Sequence, residues 1–182
     1  PEYLKAAHSL GETLARRELT LVYGGGNIGM MGTLAESVLQ SGGRVTGVIT
    51  QKLVNLELAH LNLTELIVVD TMHERKSIMS ERADAFIALP GGFGTLEEIF
   101  EVLTWGQLGI HKKPCGLLNV NHYFNDLIHF LRNTVQEKFV TPEHYSMLMV
   151  EENPAALLEK FASYTPPTGS KLLPGDKIAT SK

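Results

Sequence analysis

The chain has a single cysteine, a single tryptophan and only 7% aromatic residues. One thiol cannot close an internal disulfide, so packing rather than covalent staples must hold the fold. Cys115 lies in the apolar run Pro114-Cys115-Gly116-Leu117-Leu118, where a core thiol is expected rather than a nucleophile. Basic residues are not in excess: 16 Lys and Arg stand against 20 Asp and Glu, for a formal charge of −4. A non-specific nucleic-acid binder needs a basic face that this balance does not supply, so no nucleic-acid partner is expected. No apolar run approaches the roughly 20 residues that cross a bilayer, and no signal peptide precedes the first helical pattern. No membrane partner is therefore expected, and the setting is read as cytoplasmic. The seven histidines show no metal-ligand spacing. H-E-x-x-H, C-x-x-C and the G-x-S-x-G elbow do not occur, so neither a metal site nor a serine hydrolase is expected.

Hydrophobic residues make up 43% of the 182 positions, enough for one sizeable core and one domain over 1–164. An amphipathic helix is expected over 2–17, a strand over 19–23, a helix over 30–40 and a strand over 44–50. Segment 51–64 has no clean period and reads as a loop with one helical turn. A strand over 66–69, a helix over 72–82 and a strand over 83–89 follow. After them come a helix over 95–108, a strand over 115–120, a helix over 123–137, a short helix over 142–146, an edge strand over 147–150 and a helix over 154–163. Strands alternating with helices in this way imply an α/β, Rossmann-like three-layer fold with a parallel sheet and helices on both faces. That architecture normally opens on a strand, and this sequence opens on a helix, so a strand ahead of residue 1 is expected outside it. The tail 165–182, rich in Pro, Gly, Ser and Lys, is expected to be extended or disordered.

The chemistry concentrates in Pro90-Gly91-Gly92-Phe93-Gly94-Thr95-Leu96-Glu97-Glu98. Three glycines join an apolar strand to a helix, remove the Cβ atoms that keep a ligand off the backbone, and leave amides at a positive helix end that favours phosphate. A carboxylate follows at once. The structural alternative is a capping box between Thr95 and Glu98, which needs no ligand. A second loop, Gly24-Gly25-Gly26-Asn27-Ile28-Gly29, matches G-x-G-x-x-G between strand and helix. An NAD site would place an acid at the end of the next strand, but Val48-Ile49-Thr50-Gln51 has none, so a dehydrogenase is disfavoured. Arg75 and Lys76 open a helix whose first turn should lie at the same sheet edge as Gly91, where a guanidinium could grip a phosphate or a carboxylate. Asp84 reads as a structural acid and Trp105 as a core residue.

With Met72-His73-Glu74-Arg75-Lys76 upstream and Thr104-Trp105-Gly106-Gln107-Leu108-Gly109-Ile110-His111-Lys112-Lys113-Pro114 downstream, the PGGxGTxxE stretch resembles the LOG family. Its members are cytokinin riboside 5′-monophosphate phosphoribohydrolases, long mislabelled as lysine decarboxylases. The resemblance covers about 3–161. It implies Arg75 and Glu98 as the catalytic pair, with substrate contacts at Glu57, Lys76, Gly91, Gly92, Phe93, Gly94, Thr95 and Thr104. It also implies a nucleoside 5′-monophosphate substrate, no cofactor and a homodimer. The segment 53–63 lacks the Pro-Arg-Glu context of plant members, and the strand with a Gly-Ser-Ser loop that opens family chains is not in this sequence. The implied reaction is N-glycosidic cleavage to free base and ribose 5-phosphate. The competing expectations are a non-catalytic carrier of a nucleotide or phosphorylated cofactor, and a pyridoxal-phosphate decarboxylase using Lys76.

Overall fold

The structure is a computed structural model that describes residues 1–167 apart from Glu57. The expected substrate contact at Glu57 and most of the expected tail, 168–182, lie outside the described residues. Helices and parallel strands alternate as α1 (Glu2–Arg16), β1 (Leu21–Tyr23), α2 (Gly29–Gln40), β2 (Val45–Thr50), α3 (Gln51–Asn55), β3 (Glu65–Val69), α4 (Met72–Arg82) and β4 (Phe86–Ala88). They continue as α5 (Phe93–Gln107), β5 (Cys115–Leu118), a 3₁₀ turn at Val120–His122, α6 (Asn125–Gln136), α7 (Pro142–Tyr145), β6 (Leu148–Glu151) and α8 (Pro154–Ala162). This is the three-layer α/β arrangement expected from the alternation.

The strands pair in two parallel sets, β1-β2-β3 and β4-β5-β6. One end strand of each set, β1 and β4, lines a cavity of about 500 Å³ that α2, α4 and α5 also border. The period of two along a strand shows in β5, where Leu118 packs into one core and Cys115 and Leu117 into another. The first core joins α1, α2 and α8 through Leu10, Leu14, Leu34, Val38 and Leu157. The second places Ile99 and Val102 of α5 with Phe124 over Ala88. A strand buried on both faces has to be apolar throughout, which is why these segments read as unbroken hydrophobic runs.

Three local expectations change. The strand 83–89 shortens to Phe86–Ala88: Ala83 caps α4, and Asp84 sits at an exposed bend rather than inside a strand. The helix expected from 95 starts at Phe93, with an extended Gly92 as its N-cap. Thr95 therefore lies inside the first turn, and the capping box forms instead at Thr71 and Glu74. There Glu74 N–H donates to Thr71 Oγ1 at 3.2 Å, and Thr71 N–H donates to Glu74 Oε2 at 3.1 Å. The helix expected over 123–137 is preceded by a left-handed kink, with φ of 52° at Asn121 and 58° at His122.

Candidate active site

Arg75 meets main-chain carbonyls of β2 and of the residue that follows β1. The capped first turn of α4 carries this side chain back across the sheet edge, where it is only 11% exposed. Its Nε donates to Val48 O at 2.9 Å and its Nη2 to Gly24 O at 3.3 Å. Its Nη1 donates to Met72 Sδ and to Glu98 Oε1, both at 3.2 Å. The planar fork thus has an acceptor on each nitrogen and cannot swing to another target without breaking several bonds. Glu98, on the next helix, is 39% exposed and forms the other half of the pair. Burial pushes its carboxyl above the usual range; Arg75 pulls it back down and Glu97 pushes it up. The acid is thus held at the edge of a desolvated pocket with Arg75 as its bonded counter-charge and Lys76 as a weaker one.

The glycine loop lies beside this pair. Arg75, Lys76, Gly92, Gly94, Thr95 and Glu98 all line the cavity. The first backbone bond of α5 runs from Leu96 N–H to Gly92 O at 3.1 Å. The amides of Phe93, Gly94 and Thr95 precede it and have no partner within the helix, as at any helix start. Gly91 must be glycine for a packing reason: a Cβ there would collide with the Thr95 side chain. Phe93 projects into solvent, 93% exposed.

Two further expected contacts are engaged by protein partners: Lys76, on the cavity wall, and Thr104, outside the cavity. Lys76 Nζ is held by Glu97 Oε1 at 2.6 Å and Glu101 Oε1 at 2.9 Å. Those two hydrogen bonds raise its pKa. Thr104 is exposed and donates its hydroxyl to Phe100 O at 2.7 Å. It lines a shallow groove on the outer face of α5 with Leu96, Glu97, Phe100, Glu101 and Trp105. Trp105 is half-buried against the second core, and Cys115 is buried with its thiol pushed up to about 12 by desolvation. At that pKa it stays a neutral thiol at neutral pH.

Sequence reasoning placed Gly24 in a glycine loop able to line a nucleotide pocket, and Gly24 does line the cavity, but it missed the position's role beside Arg75. In the second glycine loop a Cβ at this position would collide with Arg75 Nη2. The loop makes room for a guanidinium, and Tyr23 anchors it through a hydroxyl that donates to Gly26 O at 3.1 Å. No local pattern marks such a role, because the arginine lies 51 residues away along the chain. Among the described residues no group of His, Cys, Asp or Glu is arranged to hold a metal ion, and no helix is long and apolar enough to cross a membrane.

A family model described as "Possible lysine decarboxylase" matches residues 31–161. The chain is 51% identical over 150 residues to a cytokinin riboside 5′-monophosphate phosphoribohydrolase of Rhodococcoides fascians, covering 82% of this chain and 76% of that protein. It is 42% identical over 194 residues to an enzyme of the same name from Arabidopsis thaliana, covering 100% and 89%. A rice protein, named as a probable member of the same class, is 46% identical over 164 residues; the match takes in 90% of this chain and 66% of the rice protein. Among solved structures, the molybdenum cofactor binding protein of Rippkaea orientalis superposes with a TM-score of 0.67 at 24% identity, covering 90% of this chain and 88% of that one. The molybdenum cofactor carrier protein of Chlamydomonas reinhardtii gives 0.66 at 21%, covering 89% of each. At those identities the likeness is one of fold alone. The extent and identity of the enzyme matches place this chain in the LOG family of cytokinin riboside 5′-monophosphate phosphoribohydrolases.

Proposed function

We propose that this chain hydrolyses the N-glycosidic bond of a nucleoside 5′-monophosphate, releasing the free base and ribose 5-phosphate. The observation that carries the reading is the Arg75–Glu98 pair at 3.2 Å, set on the cavity wall beside the amides at the start of α5. A 5′-phosphate suits those amides and the positive helix end. It does not suit Glu98, whose charge would repel it. A phosphate on Gly92 to Thr95 therefore leaves Glu98 for the sugar, where cleavage develops positive charge.

The C1′–N bond breaks, a water oxygen bonds to C1′, one water proton is lost, and the leaving nitrogen takes up a proton. Glu98 is suited to accept the proton from water, to hold the ribose hydroxyls, or to stabilise the cationic sugar. Arg75 has its fork engaged on main-chain and carboxylate acceptors. Its part is to keep Glu98 ionised and aimed, with little capacity left to grip a phosphate. Lys76 helps lock α4 to α5 through Glu97 and Glu101.

A decarboxylase reading meets a physical obstacle at Lys76, the lysine among the residues lining this cavity. A Schiff-base lysine must present a neutral amine. Two carboxylates hold this one protonated.

The decisive assay is a panel of nucleoside 5′-monophosphates, including AMP and its isopentenyl derivative, followed by chromatography of the free base. Release of base and ribose 5-phosphate from monophosphates but not from adenosine is the expected result. Binding of AMP with no release from any member would leave a carrier rather than an enzyme. The outer groove of α5, with Leu96, Phe100 and Trp105, is the surface we assign to contact between two copies of the chain. Equilibrium sedimentation tests it: a mass near twice 20.0 kDa is expected, and a monomer at assay concentration would remove it.

A further inference from the structure

The strand after β4, β5, ends beside the glycine loop, and its own loop reaches across. Tyr123 donates its hydroxyl to Gly91 O at 2.8 Å. The backbone that delivers this phenol is unusual: Asn121 and His122 are consecutive left-handed residues. Each costs about 1–3 kcal/mol where the surroundings do not compel it. The compulsion is visible in Asn119, which is 4% exposed. Its Oδ1 accepts from Phe124 N–H at 2.8 Å, its Nδ2 donates to Asn125 Oδ1 at 3.0 Å, and its own N–H donates to Glu151 O at 2.7 Å. Phe124 plugs the second core. The turn is thus pinned at both ends, and the ring it raises packs edge to face on Phe124 and on Tyr3, at centroid distances of 5.1 and 5.7 Å.

The consequence follows from the planarity of the peptide bond. The carbonyl of Gly91 and the N–H of Gly92 belong to one trans unit and point in opposite directions. Whatever captures the carbonyl also aims the amide. Tyr123 captures it from the β5 side, and Gly92 faces the cavity on the other. Glycine has the widest choice of orientation of any residue, so a Gly-Gly unit with a free carbonyl would sample many directions.

We infer that Tyr123 is a positioning residue for phosphate binding: its hydroxyl holds the Gly91–Gly92 peptide so that the Gly92 amide points at the 5′-phosphate. The inference rests on the hydrolase reading for the identity of the ligand, but its test does not need turnover. Tyr123→Phe keeps the ring and its edge contacts and removes only the hydrogen bond. The dissociation constant of ribose 5-phosphate, measured by calorimetry, is expected to rise about fivefold, the loss from one hydrogen bond. KM for AMP should rise in parallel, kcat should stay within about twofold, and the melting temperature should hold. Tyr3→Leu is the control, because it removes a ring contact and leaves the phenol in place; its affinity is expected to match the parent chain.

An unchanged dissociation constant in Tyr123→Phe overturns the inference, and so does an equal loss in Tyr3→Leu, which would make the effect one of packing. A parent chain that fails to bind ribose 5-phosphate overturns it too. A parent chain that binds this ligand yet cleaves no nucleotide in the panel removes the hydrolase reading while the Tyr123 comparison still decides the inference.

Discussion

Glu98→Gln is expected to slow base release by about 10²–10⁴ while leaving the fold in place, the range for loss of one acid–base or charge-stabilising group. The glutamine is nearly isosteric and keeps an oxygen toward Arg75 Nη1, so the geometry at 3.2 Å can persist. No cap is lost, because α5 starts at Phe93 after the N-cap Gly92 and has no side-chain cap. What disappears is the negative charge facing the sugar. A variant that turns over AMP at the parent rate would remove Glu98 from the mechanism.

The same substitution should leave a thermal signature with a definite sign. The folded-state pKa of Glu98 lies above its ordinary value, chiefly through desolvation. In the pH window between the two, the native state binds the proton more tightly than the unfolded chain. Stability therefore falls as pH rises through that window, and the loss is complete above the folded-state pKa. Glutamine does not titrate, so the difference in melting temperature, variant minus parent, should grow as pH rises through the window and level off to a constant below the ordinary carboxylate value. A difference that shrinks with rising pH would show that Arg75 depresses the carboxyl overall, and that the site is an ordinary ion pair.

Arg75→Lys is expected to cost about 10²–10³ in rate although the charge is conserved. An ammonium is a single point with three donors. It cannot reach Val48 O, Gly24 O and Glu98 in the directions that the guanidinium spans. The weakened counter-charge should also let the Glu98 pKa climb further, shifting the acid limb of the pH–rate profile upward. Gly24→Ala reaches the same end without touching a polar group, since its methyl would have to displace Arg75 Nη2. It should cost about tenfold or more alone and little in the Arg75→Lys background, because residues acting on one contact are not additive. Fully additive losses would mean that Gly24 serves something other than the arginine.

The contrast between Glu98 and Gly24 shows how much of this molecule is legible in one dimension. Glu98 was legible because it is local: glycines, helix start and acid lie within the nine consecutive residues Pro90 to Glu98, just after a strand, and one chain segment presents both the glycine loop and the carboxylate. Arg75 was legible through topology, since a helix entering the next strand must begin at the sheet edge where that strand will end. Gly24 looked like part of a dinucleotide fingerprint, and only the fold reveals that its missing Cβ accommodates a side chain from another element. The capping box supplies the reverse case. Thr95 and Glu98 have its spacing, yet Glu98 turns to Arg75, and the motif appears at Thr71 and Glu74, where the same carboxylate oxygen accepts from the N–H groups of both Asp70 and Thr71.

Hydrophobic period and turn residues determined, from the sequence by itself, the order of helices and strands and the three-layer architecture, because these depend on near neighbours and on the fixed handedness of βαβ units; Arg75 and Glu98 were brought forward as a pair by the family resemblance of the motifs that carry them. Tertiary structure alone decided which acceptors immobilise Arg75, that Lys76 spends its charge on Glu97 and Glu101, that Thr104 faces an outer groove, and that Tyr123 reaches Gly91 through a left-handed turn. Apart from Thr104, whose groove is built within α5, each of those is a contact between groups far apart along the chain. Such contacts are set by how whole elements pack, and no local spacing encodes them.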